Sequence, residues 1–142
     1  IMLVGITEFS FAFVLRGKLA NAAREGAREA VAQPSPVAED VGKAIEQYLK
    51  TSVDSSISKS ACAGVLPTWT CTYTSTVGVS GTIKIERPVE VAGTLCCARV
   101  TVSSPYPWHL FNNVLSLFNI FGSGGPTPLP EITLSSQAVM GM

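Results

Sequence analysis

The chain opens on an apolar run that passes without a break into an alanine-rich, charge-striped helix, IMLVGITEFSFAFVLRGKLANAAREGAREAVAQP over residues 1–34. Nothing else in the sequence constrains the fold as much, because a helix that is apolar at one end and amphipathic at the other needs two kinds of cover. At about 1.5 Å of rise per residue, residues 1–15 reach about 22 Å, short of the ~30 Å hydrocarbon core of a bilayer. Either the span continues upstream or the segment is buried in protein. It does not read as an intact secretory signal, since no basic region precedes the apolar run and no small-residue cleavage site closes it.

No proline interrupts the chain before Pro34, and Ala20, Ala22, Ala23, Ala27 and Ala30 raise its helix propensity. On a helical projection, Leu15, Leu19, Ala22, Ala23, Gly26, Ala27 and Ala30 share one broad face, and Lys18, Asn21, Arg24, Glu25, Arg28 and Glu29 the other. The packing face is made of small residues at every fourth position, Ala22-Gly26-Ala30 and Ala23-Ala27, a pattern that lets another backbone come close. It fits helix-to-helix packing, within or between subunits, or plain cover for a local sheet. Glu25 and Arg28 form an i,i+3 surface pair worth about 0.3 kcal/mol. Glu8 is the only charge inside the apolar run. An ionised carboxylate there is costly, so it either marks a membrane boundary or pairs with a cation of a neighbouring subunit.

Pro34-Ser35-Pro36 ends the first helix. A second is predicted over 37–53, with Val37, Val41, Ala44, Ile45, Tyr48 and Leu49 as its apolar stripe, acids Glu39 and Asp40 in its first turn and Lys50 near its end. Strand patterns follow at 68–75, 81–86, 95–103 and 131–140. The expected fold is α+β: a long N-terminal helix (1–33), then a head (34–142) in which a second helix packs on a small antiparallel, disulfide-linked sheet spanning about 68–140. Between the last two strands, residues 105–121 crowd apolar side chains onto almost every side of a short helix before a Gly-Ser-Gly-Gly-Pro loop. Cover by the same domain or by a partner is required, and Trp108, Leu110, Phe111, Leu115, Phe118 and Phe121 are the candidate subunit contacts.

Ten basic and ten acidic side chains leave no net charge, so no nucleic-acid partner is expected. A charged fraction of 14% against 46% hydrophobic residues implies apolar surface that meets lipid or sister subunits. The four cysteines, Cys62, Cys71, Cys96 and Cys97, form no CxxC pair, and His109 is the only histidine; neither a metal site nor a cofactor is expected. Two disulfides in an oxidising compartment are the favoured reading, with free buried thiols in a cytoplasmic protein as the alternative. Because adjacent residues of a strand point to opposite faces, Cys96 and Cys97 are expected each to take a different partner from Cys62 and Cys71. There is no nucleophile elbow, P-loop, dinucleotide fingerprint or HExxH, and Glu86 and Glu90 flank Pro88 in an expected loop without a pocket signature. An enzyme is not expected.

The string GITEFSFAFVLRGKLANAAREGAREA resembles the signature of TadE-like minor pilins, pseudopilins of tight-adherence (Tad/Flp) pilus systems. The acidic-aromatic pair is Glu8-Phe9, and the helix motif is Asn21, Ala22, Ala23, Arg24, Glu25, Gly26, Ala27 and Arg28. A Val-Thr-Val strand at 100–102, the Tyr-Pro loop near 106–121 and a last strand ending Ala138-Val139-Met140 are similar more loosely. The resemblance implies a type IV pilin-like subunit, held in the inner membrane by its N-terminal helix with the head in the periplasm, then extracted into or beneath a filament at the cell surface. It also implies upstream apolar residues with an earlier glutamate, so a shortened chain or an unusual processing place is expected. The implied partners are copies of itself, other pilins and the inner-membrane assembly machinery. The assembly residues expected are Glu8, Phe9, Leu15, Leu19, Ala22, Ala23, Gly26, Ala27 and Ala30. Function is then that of a structural filament subunit or of a membrane-anchored minor pseudopilin that primes assembly or binds a surface ligand or adhesin.

Overall fold

The computed structural model describes residues 2–32, 38–121 and 129–141, with side chains described at all of these except 90, 94–96 and 118–121. Helix α1 (Met2–Ala32) is unbroken for 31 residues, about 46 Å at the usual rise. Helix α2 (Ala38–Ser52) follows, then strands β1 (Ser58–Lys59), β2 (Ala63–Val65), β3 (Thr68–Thr74), β4 (Ser80–Val91) and β5 (Thr94–Tyr106), helix α3 (His109–Phe121) and strand β6 (Ile132–Gly141). The strands form one antiparallel sheet in the order β1-β3-β4-β5-β6, with β2 also paired to β3. The α+β expectation is met. The Pro34–Pro36 turn and the Gly-Ser-Gly-Gly loop lie outside the described residues.

Strand alternation decides which face of the sheet is covered. Cys71 and Tyr73 on β3, Ile83 and Ile85 on β4, Ala98, Val100 and Val102 on β5 and Ala138 on β6 are buried together, while the intervening Thr72, Lys84 and Thr101 remain on the wetter side. Register aligns the rows, with Cys71 opposite Ile83, Ile83 opposite Val102, Ile85 opposite Val100 and Val100 opposite Ala138. Onto this face pack α2, through Val41, Ile45 and Leu49, and the second half of α1, through Leu19, Ala22, Ala23, Ala27 and Ala30. Gly81 allows one exceptional contact: a Cβ there would run into the Ser103 carbonyl and the Tyr73 ring. The Tyr73 hydroxyl instead crosses it and donates to the Ser103 carbonyl at 3.0 Å. Burial raises the pKa of this phenol.

Three expectations need correction. Cys62 bonds Cys71 rather than Cys96 or Cys97, because β2 pairs with β3 as a hairpin in which Ala63 faces Thr70. One step further out, Cys62 and Cys71 stand opposite, with Cα atoms 4.3 Å apart. Cys97 is buried and also disulfide-bonded, and the side chain of Cys96 lies outside the described residues. Pro88 sits inside β4 rather than in a loop. The ladder accommodates it through register shifts between Glu86 and Glu90. The third correction concerns the edge pieces β1 and β2, which the strand patterns did not mark; both pair with β3.

Polar contacts secure the periphery. Glu39 on α2 accepts from the Lys59 ammonium and from the Cys62 backbone N–H at 2.6 Å, and the Lys59 hydrogen bond lowers its pKa most. The Arg87 guanidinium donates to the Ala30 carbonyl at 2.9 Å, satisfying one of the orphan acceptors at the C-terminus of α1 with a group of the sign its dipole favours. Glu25 and Arg28 meet at 3.2 Å on the exposed side of α1.

Candidate functional site

The first half of α1 differs from the second in what its outward side presents. From Arg24 and Arg28 back to Gly17 and Asn21 the outer side is exposed and largely polar. Nearer the N-terminus the same side carries Met2, Leu3, Ile6, Phe9 and Phe13, all more than half exposed, and Phe11 and Val14 extend the apolar surface around the helix. Arg16 and Lys18 mark the change. An apolar surface this continuous is unusual for a monomer in water. The helix does not qualify as a bilayer span on its own: among the described residues no helix is long and apolar enough to cross a membrane.

The inner side of this half is held by a buried carboxylate. Glu8 is 1% exposed, and its two oxygens are both engaged by neutral donors of the same chain. Oε1 accepts from the Tyr106 hydroxyl at 3.1 Å, and Oε2 accepts from the Leu110 N–H at 3.0 Å. Leu110 lies in the first turn of α3, where backbone N–H groups lack helical partners and the dipole favours negative charge. Glu8 therefore serves as a cap supplied from another helix. Burial, followed by the hydrogen bond to Glu8 and its charge, pushes the Tyr106 phenol up to about 12. Where the sequence suggested a membrane boundary or a neighbouring subunit's cation for Glu8, the fold gives its two oxygens neutral donors from the same chain.

Aromatic rings surround this carboxylate. Trp108 makes edge contacts with Phe9 at 5.8 Å, Tyr106 at 5.8 Å and Phe111 at 6.4 Å between ring centroids, the geometry favoured by ring quadrupoles. Its indole N–H donates to the Pro130 carbonyl at 3.0 Å. The Phe111 ring packs beside Gly5, 3.6 Å from where a Cβ would lie. The structure thus brings Glu8, Phe9, Trp108, Leu110 and Phe111 together from two distant stretches. Leu115 is half-buried on α3, Leu110 is exposed, and the side chains of Phe118 and Phe121 lie outside the described residues. His109, at the first position of α3, is exposed.

The small-residue face is not at this site. Leu19, Ala22, Ala23, Gly26, Ala27 and Ala30 are buried in the chain's own core, with Leu15 half-buried beside them. A Cβ on Gly26 would lie 2.5 Å from Ile45 Cδ1 and 3.2 Å from Val100 Cγ1. The close approach those residues allow is thus to α2 and β5 of the same chain, so both the helix-packing and the sheet-cover readings are met within one molecule. Sequence reasoning missed Tyr106 as the partner of Glu8, and it passed over Met2, Leu3, Ile6 and Phe13 in favour of the small residues. The apolar character of residues 2–14 was visible, but which side stays bare depends on where α3 and β6 pack. Among the described residues no group of three or more His, Cys, Asp or Glu side chains stands close enough to hold a metal ion.

Residues 1–28 match a family model described as TadE-like protein. The match takes in Glu8-Phe9 and the Asn21–Arg28 motif, so the resemblance read from those residues is borne out over this part of the chain. It supports a pilin-like protein associated with a Tad pilus and with a membrane. No curated protein and no solved structure matches the chain.

Proposed function

We propose that this chain is a structural, pilin-like subunit of a Tad-type filament, polymerising through the outward side of the first half of α1. The observation that carries the reading is the bare apolar surface of Met2, Leu3, Ile6, Phe9 and Phe13 on a helix that matches the TadE-like model. Covering a large apolar side chain stabilises by roughly 1.5–3 kcal/mol, so several such residues on one side supply a strong drive to associate. The partners in this reading are copies of the chain and other pilins in a filament at the cell surface, after assembly by inner-membrane machinery with the head in the periplasm. The buried small-residue face then stabilises the subunit, and the first half of the helix assembles it.

One observation favours the second reading, a membrane-anchored minor pseudopilin that primes assembly or binds a surface ligand. Helix α3, packed on α1, adds the exposed Leu110 and Leu117, which broadens the apolar end beyond a single helix in a way that suits lipid. The deciding experiment is electron microscopy of the purified protein after detergent removal. Helical polymers are expected from the unmodified chain and none from Ile6→Ser/Phe13→Ser, whose melting temperature stays unchanged because both side chains are exposed. If the unmodified chain yields no polymer and instead floats with lipid vesicles, the filament reading fails and the anchored one replaces it.

A further inference from the structure

The two edges of the sheet are built differently. One consists of the short pieces β1 and β2, two and three residues long, both laid along β3. It is interrupted between them, tied to α2 through the Lys59–Glu39 ion pair and stapled by Cys62–Cys71. Short, irregular, lysine-bearing and covered edges are how proteins keep foreign strands from adding. Among the described residues the other edge, β6, shows none of these devices. Its ten residues, ITLSSQAVMG, include no charge and no proline. It pairs with β5 from Ile132 to Gly141 without a shift in register, and among the described residues no strand pairs with its outer side. Spare N–H and C=O groups along so long and regular a strand are a template for another extended segment.

Two further observations identify that segment. On β6 the residues toward α1, Leu134, Ser136, Ala138 and Met140, are buried or half-buried, whereas Thr133, Ser135, Gln137 and Val139 are exposed. An added strand must repeat this alternation, and β6 of a second copy does. Being uncharged, it sets no like charges against each other. A groove also opens between α1 and the start of β6, lined by Phe9, Phe13, Arg16, Ile132 and Leu134. With Ser136 opposite its counterpart, the second copy's Met140 falls opposite Ile132 and its Ala138 opposite Leu134. The groove then receives an adaptable thioether side chain. We infer that β6 is a self-pairing edge that joins two copies of this chain, antiparallel and two-fold related, through one continuous sheet.

The inference does not rest on polymerisation through α1, and one experiment separates them. The full chain is kept in a mild non-ionic detergent that covers residues 2–14, and its mass is measured by sedimentation. The mass of two chains is expected, unchanged by Met2→Ser/Ile6→Ser, two exposed residues of the bare side of α1 that lie outside the groove. Ser135→Lys/Gln137→Lys halves it with no change in melting temperature, because both side chains are exposed and the pairing gathers four lysines at the two-fold. As a second measurement, a Ser135→Cys chain mixed with a Gln137→Cys chain cross-links, since these positions face each other at the ~4.5–5.5 Å Cα spacing of paired strands. A one-chain mass for the unmodified protein, a two-chain mass that survives the double lysine variant, or a cross-link to another protein in place of the second copy would overturn it.

Discussion

The two halves of α1 share one backbone helix but solve opposite problems. The second half carries side chains too small to cover much surface, yet it is the better buried, because Ala22, Ala23, Gly26, Ala27 and Ala30 let α2 and β5 come against the helix itself. The first half carries the largest apolar side chains in the helix and leaves most of them bare. Side-chain size therefore does not track burial along this helix; distance to the neighbouring elements does. Close packing belongs to the chain's own core, while the bulky apolar side chains stay bare, which is why assembly is proposed to lie in the bulky half.

The strongest way to break this comparison is a bulky substitution in the packed half. Gly26→Leu forces side-chain atoms into space held by Ile45 and Val100, and overpacking of this kind costs about 3 kcal/mol. The expected result is a large drop in melting temperature with the head partly or wholly unfolded, whether or not partners are present. Phe13→Ser, on the bare side of the other half, leaves the unfolding free energy within about 0.5 kcal/mol of that of the unmodified chain. Equal stability of the two variants would show that the small-residue face is not a core face, and the assignment of roles to the two halves would reverse.

How much of this was legible before the fold is clearest at individual residues. Periodicity marked Leu19 to Ala30 correctly as a packing face, since a 3.6-residue repeat fixes which side chains share a side. It could not say what lies against them, because that depends on β5 and α2, whose placement arises from the sheet. Alternation marked all four longer strands but stopped short of the ends of β4 and β5, which run on to Val91 and Tyr106, and β1 and β2 are too short to alternate. The Cys62–Cys71 bond follows from the register of that short hairpin and from no local pattern. Glu8 was legible as an anomaly and its solution was not, for its partner Tyr106 is 98 residues away.

Glu8 offers the next largest effect. Glu8→Ala removes the acceptor for both the Tyr106 hydroxyl and the Leu110 N–H, and leaving buried donors unpaired costs about 2 kcal/mol. The loss should be local: hydrogen exchange is expected to speed up in the first turn of α3 and at 2–8, while the amides of β3 and β4 keep their relative protection. Glu8→Gln retains one carbonyl acceptor and is expected to recover about half of the cost. If Glu8→Ala melts with the stability of the unmodified chain, the carboxylate does not hold α3 to α1.

The smallest effect is a titration. The buried Tyr106 phenol is pushed up to about 12 from a usual value near 10, so the folded state favours its neutral form. A group whose pKa is raised on folding contributes stability that is complete below the unfolded value and is lost as pH rises through the folded one. Thermal stability should therefore hold up to about pH 10 and decline between about pH 10 and 12. Tyr73, raised in the same direction by burial, adds to the decline. Tyr106→Phe should lose about 1 kcal/mol at neutral pH, the worth of its hydrogen bond, and then fall less steeply through that window. Parallel decline of the variant and the unmodified chain would place the alkaline sensitivity at Tyr73, in the core between sheet and helices, and not at the contact that positions the first half of α1.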